Sequence, residues 1–367
     1  MVRLQLLTFT LCLLALCVIG LIGLFTIIAE NEQPFLIRPR PRQFYDLYPL
    51  DLQLLNLPHF SYIINNDICG LKTVDSVLLV TSHCGNVEAR SAIRQAYPQH
   101  ELIKLGIRRL FLLAVSPAVN ENSIHDENRR YADVLQGSFL EAYRNLTYKH
   151  VMGLQWAVHH CPQARFVIKM DDDIVVNMYK LSEIISYISE SQRKDLLMGY
   201  VLKGMVPVRE PANKWYVTHE EFAGNMYPQF LSGWMYITTP PVINKLLSAA
   251  QEEKFFWIDD TFVTGILAQQ AGVEGYRNIS NMFTTDPGYL ECCLRHSDVY
   301  CDFMVGPSGG DYSLQIRLAM HAKRCRDMGS CKNRSPQNAL RRTCVNKGRQ
   351  QLPLSGGQGY VAEVKIG

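Results

Sequence analysis

The chain begins with an apolar run: no charged residue occurs from Leu4 to Ala29. As a helix rising about 1.5 Å per residue it would be roughly 39 Å long, more than the ~30 Å hydrocarbon core of a bilayer. The pattern predicts a transmembrane signal anchor over residues 4–29 behind a cytoplasmic tail of residues 1–3. A cleaved signal peptide is the rival reading, with Ile27-Ile28-Ala29 as its cleavage site, but its apolar region is usually only ~7–15 residues. Residues 30–74, which include "QPFLIRPRPRQFYDLYPL", mix prolines with scattered aromatics and read as a stem.

A folded domain is expected over 75–345. "SVLLVTSH" from Ser76, "RRLFLLAV" over 108–115 and "ARFVIKM" over 164–170 are short apolar runs that read as buried strands. "VEARSAIRQAY", "ENRRYADVL", "NLTYKHVMGLQWAVHHC" and "MYKLSEIISYISE" have helical spacing, the last with Leu181, Ile184, Ile185 and Ile188 on one face. Strands alternating with helices predict an α/β layer around a mainly parallel sheet, with ligands at the carboxyl ends of its strands. After residue 195 the pattern becomes irregular, and 346–367 read as a flexible tail rich in Gly and Gln. There is no internal repeat.

Charge adds little. The net charge is +3, and no basic stripe with interleaved aromatics suggests nucleic acid. Cysteine adds more. Cys12 and Cys17 lie in the apolar run, and nine others follow with no C-x-x-C pair, so disulfides in an oxidising lumen are expected. Nine is odd, so at least one thiol is free or pairs with another chain. Sequons at Asn145, Asn278 and Asn333 also favour a lumenal body, although Arg38, Arg40 and Arg42 after the span would by charge alone favour the opposite orientation.

Candidate chemistry lies in "FVIKMDDDIVV". Asp171, Asp172 and Asp173 end an apolar strand, where like charges repel and unpaired carboxylates are rarely buried. A strand-end turn with solvated acids is the bland explanation. A divalent cation is the chemical one, because Mg²⁺ or Mn²⁺ takes one or two carboxylates plus substrate phosphates. Asp259 and Asp260, in "WIDDTFVTGILAQQAGV", either cap a helix or supply a general base.

Five segments in order resemble motifs of the β-1,3-galactosyltransferase family, which includes β-1,3-N-acetylglucosaminyltransferases and is related to the fringe enzymes. They are "RSAIRQAY", "ENRRYADVLQGSFLEAYRNLTYKHVMGLQW", "FVIKMDDDIVVN", "KWYVTHEEFAGNMYPQFLSGWMYI" and "IDDTFVTGILAQQAGV". The resemblance implies a GT-A-type, Rossmann-like glycosyltransferase domain on a single-pass type II Golgi membrane protein. It implies Mn²⁺, a UDP-sugar donor, a glycan acceptor on glycolipid or glycoprotein, and inverting transfer to a 3-hydroxyl. Galactose is the expected sugar, with N-acetylglucosamine or N-acetylgalactosamine as alternatives and a non-catalytic glycan-binding relative as the other class.

Carried over, Asp173 would be the main metal ligand, with Asp171 and His296 as further ligands and His321 behind His296. Arg90, Arg94, Lys169, Asp171 and Asp172 would line the donor site, and Asp260, or failing that Asp259, would be the base. Lys214, Trp215, Tyr227 and Gly233 would shape the donor and acceptor pocket. The chain departs from the family pattern at Ala96-Tyr97, Leu231 and Thr261, and it lacks a tryptophan expected further on.

Overall fold

The computed structural model describes residues 52–70, 74–329 and 331–344, all within a compact unit that begins at Pro49. The expected anchor over 4–29, Cys12, Cys17 and the tail over 346–367 lie outside the described residues. Among those described, no helix is long and apolar enough to cross a membrane.

Among the described residues, twelve strands are formed. β1 (Leu52–Leu54) and β2 (Leu57–Phe60) make a hairpin, and β3 (Tyr62–Ile64), β4 (Ser76–Thr81), β5 (Ile107–Val115) and β6 (Val134–Leu140) follow. Then come β7 (Phe166–Asp171), β8 (Ile174–Val176), β9 (Leu197–Leu202), β10 (Phe230–Thr238), β11 (Tyr276–Asn278) and β12 (Val305–Pro307). The main sheet has eight strands in the order β11-β9-β10-β7-β4-β5-β6-β3, while β8 pairs with β12. β4 lies at its centre, parallel to β5 and β7, and every one of its residues is buried. Successive residues of β4 enter opposite cores, Val77 and Leu79 on one face, Leu78 and Val80 on the other. The first core is closed by the helices Leu146–His160 and Pro240–Ala249, through Val151, Leu154, Val242 and Leu246. The second is closed by Val87–Ala96, Met178–Ser186 and Tyr312–Met328, through Ile93, Leu181 and Ala319. Covering on both faces is why these strands read as continuous apolar runs.

The sheet is mainly parallel, as expected, but β10 runs antiparallel to both β7 and β9, and β3 antiparallel to β6. Two expectations are corrected. "ENRRYADVL" is not one helix. The helix Glu121–Tyr131 stops where Ala132 takes a left-handed conformation, φ 50°, and Val134 starts β6. Asp133 at that junction is buried against Arg94 and Arg109, which fixes the break. The stem is also shorter than expected, because β3 within it joins the sheet edge.

Disulfides link Cys69 to Cys161, Cys292 to Cys344, Cys293 to Cys301 and Cys325 to Cys331. The odd cysteine among the described residues is Cys84, which is buried and unpaired.

Candidate active site

The register places Thr81 of β4 opposite Asp171 of β7. Both strands stop there, so the turn Ser82–Cys84 and the acids Asp171–Asp173 share one edge of the sheet. β10, running the other way, brings Gly233 to the same edge, and the short helix Asp259–Thr261 packs behind it. The two acidic clusters, far apart in the chain, thus meet.

Lys169 joins them. Its side chain is buried, and its ammonium donates to Asp171 Oδ1 at 2.7 Å and to the Gly233 carbonyl at 2.6 Å, with Asp259 Oδ2 at 3.9 Å. These contacts are all to protein groups. Gly233 lies close to both groups: a Cβ there would crowd Lys169 Nζ at 3.1 Å and touch the Asp260 Cβ at 3.5 Å. Burial pushes the Asp171 carboxyl up to about 7, with Lys169 opposing and Asp173 adding to the rise.

Asp259 turns inward. His150 Nδ1 lies 2.9 Å from its Oδ2, and His150 Nε2 lies 2.6 Å from the Tyr236 hydroxyl. Burial would raise this carboxyl, yet Lys169 and His150 hold it below the usual carboxylate range. Asp260 accepts from the backbone N–H of Thr261 at 2.8 Å and of Gly233 at 3.2 Å. Burial, and then the charge of Asp259, push it above the usual range. Two neighbouring acids driven apart in proton affinity are what a charge-stabilising group and a general base require. The helix continues as a π-turn, Phe262–Ile266, anchored where Thr264 Oγ1 donates to the Asp260 carbonyl and accepts from Leu231 N–H. Such turns recur at functional sites.

Asp172 points to the other side, accepting from Ser82 Oγ at 2.6 Å and Asn86 Nδ2 at 3.1 Å. The turn it grips is held from beneath by Arg90, which is fully buried. Arg90 donates to Ser82 Oγ and to the carbonyls of His83 and Cys84, and its fork pairs with Glu127. Arg94 pairs with Asp133 and Glu127. Both arginines therefore support this wall from within. Lys149 adds a second prop, donating to the Ser82 carbonyl at 2.7 Å and to Glu141 at 2.5 Å.

Asp173 is half-buried, with Asp172, Lys169 and Lys214 as its charged neighbours. It offers carboxylate oxygens to a cation, and Asp171 retains the oxygen not bonded to Lys169. That donor set fits a divalent ion completed by substrate phosphates. Among the described residues no three His, Cys, Asp or Glu side chains are grouped to hold a metal. His296 stands exposed after the helix Pro287–Cys293 and does not join the aspartates, while His321 is spent on the Val299 carbonyl.

The open side is aromatic. Trp215 Nε1 donates to the Tyr143 hydroxyl at 2.8 Å, and the Lys214 ammonium lies 5.1 Å and 4.8 Å from the two ring centres. Tyr227 packs among Phe222, Phe230 and Phe256, with its hydroxyl buried and unpartnered. Of the sequon asparagines, Asn278 and Asn333 are exposed, while Asn145 donates to the Leu140 carbonyl.

Ser82, Asn86, Glu127, Glu141, Tyr143, Lys149, His150 and Tyr236 belong to the site but were not among the candidates. A signal existed for two of them. Lys149 and His150 precede Val151 on a helix whose neighbouring positions are apolar, and buried polar groups in such a place need partners.

Residues 88–278 match the family model for galactosyltransferase. Beta-1,3-galactosyltransferase 2 of Mus musculus is 32% identical over 219 residues, covering 58% of this chain and 52% of that protein. Beta-1,3-galactosyltransferase 5 of Homo sapiens is 31% identical over 232 residues, covering 62% and 74%. The chain thus spans about half the length of the first of these relatives. A crystal structure of a glycosyltransferase involved in the glycosylation of the major capsid of PBCV-1 aligns at 12% identity and a TM-score of 0.35, covering 68% of this chain and 98% of that one.

Proposed function

From the premise that this chain belongs to the galactosyltransferase family, we propose that it is an inverting β-1,3-hexosyltransferase of GT-A type, moving galactose from a UDP-sugar to the 3-hydroxyl of a glycan. The observation that carries this reading is the meeting of Asp171–Asp173 with the Asp259–Asp260 pair across Lys169. A donor diphosphate and a base for the acceptor belong on the two sides of such an edge.

The mechanism is a single displacement. The Asp260 carboxylate takes the proton from the acceptor hydroxyl as that oxygen bonds to the anomeric carbon. The bond from that carbon to the diphosphate oxygen breaks, and its electron pair leaves with UDP. One base suffices for inversion, whereas retention by double displacement needs a carboxylate nucleophile as well. Asp173, with the free oxygen of Asp171, would hold Mn²⁺, which when bound supplies charge neutralisation for the leaving diphosphate. Lys214 is the protein's own cation on that side. Asp172, clamped to Ser82 and Asn86, shapes the nucleotide wall with Arg90 and Arg94 behind it. Trp215 and Tyr143 offer ring faces for a sugar.

Four disulfides and the exposed sequons Asn278 and Asn333 favour a lumenal location, and we assign the chain to the Golgi membrane through residues 4–29. The test is incubation of the secreted lumenal part with Mn²⁺, UDP-galactose, UDP-N-acetylglucosamine or UDP-N-acetylgalactosamine, and β-linked acceptors. Product linkage is read by mass spectrometry and NMR. A β-1,3-linked product that requires Asp260 supports the reading. Failure to bind UDP with Mn²⁺ overturns it.

A further inference from the structure

Beneath the paired acids lies a closed relay that the displacement itself does not use. His150, on the helix Leu146–His160, and Tyr236, on β10, are both buried. They form the line Tyr236–His150–Asp259, with His150 in contact with both of its neighbours. The direction of the relay follows from chemistry. Burial holds His150 neutral and Tyr236 protonated, and Asp259, beside Lys169, is an acceptor. His150 therefore carries its proton on Nδ1 and donates to Asp259. Its Nε2 is then the acceptor and takes the Tyr236 O–H. Neither side chain reaches solvent, so neither touches substrate.

We propose that His150 and Tyr236 are positioning residues for the base: they clamp Asp259 turned inward, so that Asp260 is the carboxylate of the pair left to take the acceptor's proton. This rests on the function proposed above. The other ionisable groups facing the pair are Lys169 and Asp171 on β7, Tyr143 at the start of a short 3-10 turn, and Tyr227 from a loop. Lys169 compensates charge but is shared with Asp171 and Gly233. Among the described residues, His150 supplies the side-chain hydrogen bond that fixes the orientation of Asp259, while Lys169 stays at 3.9 Å. Without that bond a proton is held between the two acids, and Asp260 is ionised only at higher pH.

The experiment compares His150→Leu, His150→Asn and Tyr236→Phe with the unaltered chain, using UDP-galactose and Mn²⁺ across a pH series. His150→Leu is expected to lower kcat about tenfold well down the acid limb and only about twofold near pH 7, the effect of roughly one unit in that limb. That limb moves to higher pH, and the KM for donor stays within about twofold. His150→Asn, whose amide reaches the same carboxylate, regains most of the loss. An unchanged pH profile, or Asn no better than Leu, overturns the proposal. A second measurement needs no turnover: ¹⁵N NMR of His150, assigned by its loss in His150→Asn. A single neutral Nδ1–H tautomer from about pH 5 to 8 is expected, with the Nε2 shift changed by Tyr236→Phe. An Nε2–H tautomer, or titration in that range, overturns the proposal. The absence of transfer by the unaltered chain counts against the proposed function alone, since the tautomer still decides the relay.

Discussion

Replacing Lys169 by Met removes the cation between the two acidic clusters and leaves Asp171, Asp259 and Asp260 facing one another. The distances of 2.7 Å to Asp171 and 3.9 Å to Asp259 correspond to gross attractions of roughly 6 and 4 kcal/mol at an effective dielectric of about 20. Desolvation of a buried ammonium offsets much of this. The net cost of removing one partner from a buried pair is about 3–5 kcal/mol. At about 2 °C per kcal/mol for a domain of this size, Tm falls by about 6–10 °C.

The dependence on pH has a definite sign. Burial has already raised Asp171 to about 7 against the pull of Lys169. Without the lysine its folded-state proton affinity climbs further above the unfolded value. The deficit against wild type is therefore larger at pH 8 than at pH 5, and it shrinks as the acids take protons on the way down. Thermal melts at fixed scan rate by circular dichroism, with the disulfides intact, measure it. The double variant Lys169→Met/Asp171→Asn should recover part of the loss. An unchanged Tm at pH 8, a deficit that widens as pH falls, or no recovery in the double variant would refute the assigned role of Lys169.

Asp260→Asn should lower transfer about 10²–10⁴-fold with UDP binding intact, read by product formation beside calorimetry. Because Asp260 sits above the usual carboxylate range, the rate of wild type should fall on the acid side well before an ordinary aspartate would protonate, and a pH–rate profile checks this. Arg90→Lys keeps the charge but loses the fork that grips Ser82, His83, Cys84 and Glu127. The KM for donor should rise about tenfold while the fold is retained, since a point charge does not replace planar recognition. Cys84, buried and pushed up by burial in its thiol pKa, should resist alkylation in the native chain and react only on unfolding, as peptide mapping would show.

The central sheet was legible because β4, β5 and β7 are buried on both faces and must be apolar throughout. β6 was not, since "ADVLQGSFL" continues the helical spacing before it. Only the tertiary pairing of Asp133 with Arg94 and Arg109 breaks the helix there. β9 and β10 were hidden for a different reason. They flank a long irregular segment whose Gly, Pro and aromatic residues dilute any period, although Phe230–Thr238 is nearly all buried. At the site, the acids stood out because their charge contradicts their apolar setting. Their partners did not: the proximity of Asp171 to Asp259 depends on the reversed course of β10, which no local pattern encodes. Arg90 and Lys169 could be picked as important, but the direction of their side chains, inward to carbonyls and carboxylates, could not.

The π-turn at Phe262–Ile266 has a consequence for helical phase. In front of it Asp259 and Asp260 must face the sheet edge, and behind it Leu267 and Ala268 must face the core. An α-helix advances about 100° per residue, so those two demands are in phase only while the wide turn takes up its extra residue. Were the wide turn to close to ordinary α-helical winding with all its residues kept, the acids would swing about a quarter-turn away from the edge while every residue of the site stayed in the sequence.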